Sequence, residues 1–198
     1  MGLSLEYFDG QTPIDEEEKE GLLIPTISTR GELDEFEQQN IEKAIQWSMG
    51  LTLKAEKAFS EEFILMVHKR MYSDVWSWSG TLRKTEKNIG EKYWNIPVKL
   101  RYLLDDVRLW DVKNIYPPDE IAIRFKHRLV SIHCFPNGNG RHSRLMADII
   151  IEKVYKLPVF TWGSESLGSD GTARATYLKA LRSADKHDYL PLLAFARS

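Results

Sequence analysis

The sequence predicts an all-α domain with one small β-hairpin, and three observations lead there. Apolar residues recur at helical spacing in segment after segment from about residue 33 onward. Helix start and stop signals bracket those segments. One stretch, residues 84–96, lacks the helical period, and Asn88-Ile89-Gly90-Glu91 within it reads as a turn between two short extended pieces. The chain thus divides into an N-terminal arm, residues 1–32, and a helical domain, residues 33–198. Its 198 residues suffice for one domain with a sizeable core.

Taken in order, residues 1–29 read as irregular. Within them Asp15-Glu16-Glu17-Glu18-Lys19-Glu20 is a charge run expected on a solvated surface. Gly21-Leu22-Leu23-Ile24-Pro25 is a short apolar piece expected to pack as an arm. A helix from about residue 33 or 34 to 49 carries Phe36, Ile41, Ala44, Ile45 and Trp47, with Gly50 as its stop. Ser60 caps the next helix; Glu61 and Glu62 suit its first turn, and Lys69 and Arg70 its last. Phe63, Ile64, Met66, Val67 and Met71 form its core face, and His68 is expected to be a satisfied or exposed histidine, not a ligand. Trp76 and Trp78 read as core anchors under a loop.

Pro97 opens a helix running to about residue 112. Pro117 and Pro118 break the chain, Asp119 caps, and Ile121, Phe125, Leu129 and Ile132 give the following helix its buried stripe. Another helix is expected over residues 141–156, buried through Leu145, Met146, Ile149, Ile150 and Val154. Residues 157–171 read as loop, Thr172 as the cap of a helix to about residue 184, and 189–196 as a short closing helix.

Composition narrows the function classes. A formal net charge of −2 leaves no global basic field for nucleic acid. The single cysteine, Cys134, leaves no internal disulfide framework and suits a reducing, cytoplasmic setting. No stretch is long and apolar enough to span a membrane, and the N-terminus lacks a signal-peptide pattern. His127, His133 and His142 lack metal-ligand spacing with any cysteine pair, so no zinc site is expected. Nearly balanced charge fits a monomer or a homodimer equally.

The stretch between the two predicted helices of residues 119–156 carries the chemistry. Pro136-Asn137-Gly138-Asn139-Gly140 suits a tight curl that turns several backbone N–H groups into one concavity. The next helix starts where the curl ends, so its dipole and unpaired N–H groups face the same spot. Arg141, His142 and Arg144 all fall in that helix's first turn, where cations are disfavoured by roughly 0.3–1 kcal/mol each. Arg141 and Arg144 share a face, so an anion such as a di- or triphosphate would relieve the conflict. His133 then sits beside that anion, placed to take a proton from an attacking hydroxyl. An ordinary Gly-rich turn with solvated arginines is the alternative.

His133, Phe135, Gly138, Asn139, Gly140, Arg141 and Arg144 resemble the Fic (filamentation induced by cAMP) signature, His-x-Phe-x-(Asp or Glu)-Gly-Asn-Gly-Arg-x-x-Arg. The resemblance runs from about residue 61 to 196, through Trp78-Ser79-Gly80-Thr81-Leu82-Arg83 and Tyr177-Leu178-Lys179-Ala180-Leu181. The variant with Pro136, Asn137 and His142 looks most like the bacterial branch called mobile mystery protein B.

The resemblance implies transfer of AMP from ATP to a Ser, Thr or Tyr hydroxyl of an unknown target protein. His133 would be the general base, Phe135 a buried anchor, Gly138, Asn139 and Gly140 the phosphate hole, and Arg141 and Arg144 the grip on the β- and γ-phosphates. A flap at Asn88, Ile89 and Gly90 would pair with the target by strand addition; a bland hairpin is the alternative. Tyr177 would touch the nucleoside, or else be a core tyrosine. Ser28-Thr29-Arg30-Gly31-Glu32 partly matches an inhibitory helix pattern, making Glu32 an inhibitory candidate or a plain capping residue. One position departs: Asn137 stands where the family has a carboxylate for Mg²⁺, which leaves a weakened metal site. Two other readings follow: transfer of a different phosphate-containing group, and a nucleotide-binding regulatory protein that has lost catalysis.

Overall fold

The computed structural model describes residues 13–163 and 172–198. The first twelve residues of the arm, and positions 164–171 of the loop expected over 157–171, lie outside the described residues. Helices α1 (Glu16–Lys19), α2 (Arg30–Met49), α3 (Ala55–Ala58), α4 (Glu61–Tyr72), α5 (Ile96–Val112), α6 (Pro118–Ile132), α7 (Asn139–Ile149), α8 (Thr172–Ala184) and α9 (Leu190–Arg197) follow in chain order. A 3₁₀ turn, Tyr93–Asn95, leads into α5, and α7 loosens into a π-turn, Ile150–Val154. The all-α class therefore holds. Among the described residues no helix is long and apolar enough to cross a membrane.

α6 is the central element. It packs against α5 on one side, α7 on another and α9 on a third. Ile121, Ala122, Ile123, Phe125 and Leu129 are all buried, as a helix enclosed on several faces requires. α2 lies along α4, where Asn40 clamps the chain reversal after α4: its amide donates to the Arg70 carbonyl at 3.0 Å and its oxygen accepts from Asp74 N–H at 2.8 Å. Trp76 is fully buried and stacks on Trp78 at 4.8 Å.

Several element boundaries differ from expectation for local reasons. α2 starts at Arg30, not near 33, because Thr29 and Glu32 form a reciprocal capping box. Pro117 is the N-cap of α6 and Asp119 sits inside its first turn, where its carboxylate pairs with Arg197 at 2.6 Å instead of capping. α7 opens two residues early, at Asn139.

The arm is more ordered than its composition suggests. Asp15 starts a single helical turn, and Glu18 is buried instead of solvated. The buried Lys87 ammonium draws it in, at 2.5 Å from Glu18 Oε2 and 2.9 Å from Asp15 Oδ2. The apolar piece packs as an arm: Leu23 N–H donates to Val75 O at 2.9 Å and Ser77 N–H to Gly21 O at 2.8 Å.

The hairpin expected over residues 84–96 is absent. An isolated antiparallel bridge, Leu22 to Trp76, is the β-pairing among the described residues. The segment's backbone bonds go elsewhere: Arg83 N–H donates to Cys134 O at 2.9 Å and Glu91 N–H to Ile132 O at 3.2 Å. The end of α6 thus takes the place of a second strand, and residues 84–92 form a loop folded over it.

Candidate active site

The site is built where α6 ends and α7 begins. His133 terminates α6 in the left-handed region, φ 58° and ψ 61°, which turns the chain sharply. Phe135 is then fully buried and stacks on His68, 3.7 Å between centroids and 13° between planes. His68 braces the loop from α4: Gly80 N–H donates to its Nδ1 at 3.0 Å, which leaves Nε2 to donate to Asn137 O at 3.1 Å. The Asn139 side chain closes the curl, accepting from Phe135 N–H at 3.0 Å and donating to Phe135 O at 2.8 Å. Gly138 is required: its φ is 77°, and a Cβ there would meet the Tyr72 ring at 2.5 Å.

This curl delivers the N-terminus of α7 to a cavity of about 920 Å³ lined by His133, Asn137, Gly138, Asn139, Gly140, Arg141 and Arg144. By helix geometry the first-turn N–H groups of α7 have no intrahelical acceptor, so the cavity meets a positive helix end. Ile89 and Tyr177 line the same cavity from the 84–92 loop and from α8.

The charges differ from a bare cluster of cations. Arg141 pairs with Glu37 of α2 at 2.6 Å, and that carboxylate, 2% exposed, also accepts from Trp76 Nε1 at 2.7 Å. The intramolecular anion relieves part of the conflict at the start of α7. Arg144 lies 5.4 Å over the Tyr177 ring, and among the described residues no carboxylate lies within salt-bridge distance of it. The Tyr177 hydroxyl accepts from the fully buried Lys126. Burial pushes the His133 imidazole down to about 4, helped by the Arg83 and Lys87 cations, so the ring is neutral at pH 7.

Placement of the remaining expected residues is mixed. Asn139 reaches the cavity edge, but its amide is committed inward to Phe135. Asn88 and Gly90 belong to a loop, not a strand, and Ile89 of the three lines the cavity. Glu32 is exposed and caps its own helix, accepting from Ser28 N–H at 2.8 Å and Thr29 N–H at 3.0 Å; the glutamate that holds a motif arginine is Glu37. Asn137 Oδ1 accepts from Gly138 N–H at 2.6 Å, and no cluster of three or more metal-type ligands occurs among the described residues. One neutral oxygen, already engaged, is a poor fit to a cation that prefers carboxylates.

Burial of histidines has a consequence for acid stability. Folded His133 titrates at about 4 and His142 at about 3, and His68 is also held well below 6.5, all chiefly by burial. Below pH 6.5 the unfolded chain binds protons that the folded chain refuses, so stability falls as pH drops. Asp148 opposes this, since burial lifts its carboxyl from 3.8 to about 7 and acid then favours the folded form. His133 and His142 together outweigh Asp148 by on the order of 1–2 kcal/mol at pH 5, and His68 and His127, both lowered chiefly by burial, act in the same direction. Calorimetry is expected to show Tm lower by at least roughly 3 °C at pH 5 than at pH 7. An equal or higher Tm at pH 5 would contradict this account of the buried imidazoles.

Residues 58–151 match the Fic/DOC family, and the central helices and the loop between them lie inside the match. Solved Fic structures share the fold. Fic-1 of C. elegans (residues 134–508) is 23% identical with a TM-score of 0.67, covering 90% of this chain and 51% of that one. The N-terminal Fic domain of a VirB-translocated effector from Bartonella quintana is 15% identical with a TM-score of 0.68, over 87% and 84% of the two chains. BepC of Bartonella tribocorum, solved with AMPPNP bound, is 14% identical with a TM-score of 0.66, over 92% and 97%. This chain spans about half the length of the C. elegans Fic-1 chain it matches.

Glu37 and His68 are the residues sequence reasoning did not assign to the site. Neither carries a local signal. Each acts through a partner far along the chain, Arg141 for Glu37 and Phe135 with Asn137 for His68.

Proposed function

We propose that this Fic domain is a protein adenylyltransferase, moving AMP from ATP to a Ser, Thr or Tyr hydroxyl of a target protein. Fic family members commonly transfer AMP onto proteins. The observation that carries the reading is the juxtaposition, in one cavity, of a neutral imidazole, a positive helix N-terminus and two arginines. A related fold holds AMPPNP.

In this reading the first-turn N–H groups of α7 and Arg144 hold the phosphate chain, with Arg141 adding a contact when it leaves Glu37. His133 takes the proton of the target hydroxyl. Its oxygen bonds to the α-phosphorus, the bond from that phosphorus to the bridging oxygen breaks, and pyrophosphate leaves with the negative charge. The proton ends on the imidazole and passes to solvent. Catalysis rests on positioning and fixed charge, as in other phosphoryl-transfer sites.

Incubation in bacterial lysate with ATP labelled at either the α- or the γ-phosphate tests the reading. Protein-bound label from the α position alone is expected; label from the γ position alone would sink AMP transfer. Asn137 favours a second reading, a nucleotide-binding protein without turnover, because its amide is engaged at Gly138. Asn137→Asp should then decide: Mg²⁺-dependent labelling that rises about tenfold or more supports the transferase, whereas absence of label from both forms favours the binding protein.

A further inference from the structure

Arg83 is a buried guanidinium, 3% exposed, with no ion-pair partner among the described residues. A buried cation is ordinarily paired with a carboxylate. This one is instead committed to three backbone carbonyls. Nε donates to His133 O at 2.6 Å, one terminal nitrogen to Thr85 O at 2.7 Å, and the other to Glu91 O. Its planar fork therefore joins both ends of the loop over residues 85–91 to the residue at the end of α6.

The main chain repeats the same join. Arg83 N–H reaches Cys134 O and Glu91 N–H reaches Ile132 O, on either side of His133. At Gly90 the backbone lies against the imidazole-bearing residue so closely that a Cβ would stand 2.4 Å from His133 Cβ. The loop and His133 are thus held by one group, and the left-handed backbone of His133 is fixed by its own carbonyl.

We propose that Arg83 is a positioning residue that locks His133 and the 85–91 loop into one unit, so that a hydroxyl carried along the loop meets the base at a set distance. The role rests on the transfer reading for its use, but its structural consequences are measurable without turnover. Arg83 lines no part of the cavity, so nucleotide affinity should not depend on it. Arg83 and Lys87 act on the His133 charge, with the Val130 carbonyl of its own helix against them, and the cavity that His133 lines also carries Arg30 and Asp34 from α2, Arg141 and Arg144 from α7, Arg174 and Arg182 from α8, and Asp185.

Two variants separate charge from geometry. In Arg83→Met, amide exchange over 85–91 should rise at least about tenfold, with α4 and α6 changing less than about twofold. The His133 ring, followed by NMR, should titrate above its starting value of about 4. Transfer from α-labelled ATP should lose at least about tenfold in kcat with KM for ATP within about twofold. Arg83→Lys keeps the charge, so its His133 titration should stay near the starting value while loop exchange and kcat change as in Arg83→Met. Unchanged loop exchange and titration in Arg83→Met, or exchange rising equally in every helix, would overturn the proposal. The exchange and titration readouts survive if the protein transfers nothing, whereas His133→Ala tests the transfer reading itself.

Discussion

Replacement of His133 by alanine is expected to lower AMP transfer by about 10²–10⁴-fold while leaving affinity for the ATP analogue AMP-PNP within about twofold. The split follows from the site's construction. The phosphate-facing groups belong to α7 and the curl before it, and the imidazole adjoins them from the end of α6. Removing the ring deletes the proton acceptor without deleting an anion contact. The pH profile supplies a second reading of the same residue. A histidine titrating near 6.5 would halve kcat/KM at that pH, but His133 titrates at about 4. Its free-enzyme limb, which kcat/KM reports, should therefore stay flat from pH 8 down to about pH 5. Loss of transfer in His133→Ala only alongside loss of AMP-PNP binding would contradict the base assignment.

Glu37→Gln is expected to tighten AMP-PNP binding by at least about tenfold and to lower stability by roughly 1–3 kcal/mol. Glu37 has two tasks in opposition. Its buried carboxylate neutralises Arg141 at 2.6 Å and accepts from Trp76 Nε1 at 2.7 Å, which fixes α2 against the site. The same negative charge lies beside the place where phosphates would bind. A charge about 6 Å away, at an effective dielectric near 20, is worth about 3 kcal/mol. Glutamine keeps the tryptophan bond and the shape but removes that charge, and it frees Arg141 for a ligand. Calorimetric titration with AMP-PNP and a melting curve on the same sample would read both effects. A drop in affinity with unchanged Tm would show that Glu37 serves the ligand instead of competing with it.

The sequence was legible where its signals are local. The stripe Ile121, Phe125, Leu129, Ile132 and the Gly-Asn curl define α6, the turn and the start of α7, because period, breakers and left-handed positions all sit within a few residues of one another. The misreadings share a different cause. Residues 84–96 carry turn chemistry and lack helical period, so they read as a hairpin; yet their partners are Ile132, Cys134 and the Arg83 fork, which period counting cannot see. Glu18 sits in a run of charges and looks solvated until Lys87, far along the chain, is brought against it. Glu32 and Glu37 illustrate the point most clearly. The sequence offered Glu32 as an inhibitory candidate or a plain cap, and it caps its own helix, while Glu37 meets Arg141 because α2 lies along α4 beside the start of α7.

The claim on which the rest depends is that a phosphate chain lies on the N-terminus of α7 beside His133. An NMR titration with AMP-PNP reads it directly through the backbone amides of Gly138, Asn139, Gly140 and Arg141. The account predicts that these resonances shift furthest and together, with the His133 ring following and Arg144→Ala weakening the effect. Saturable AMP-PNP binding that leaves those four amides in place and moves another part of the molecule would contradict it.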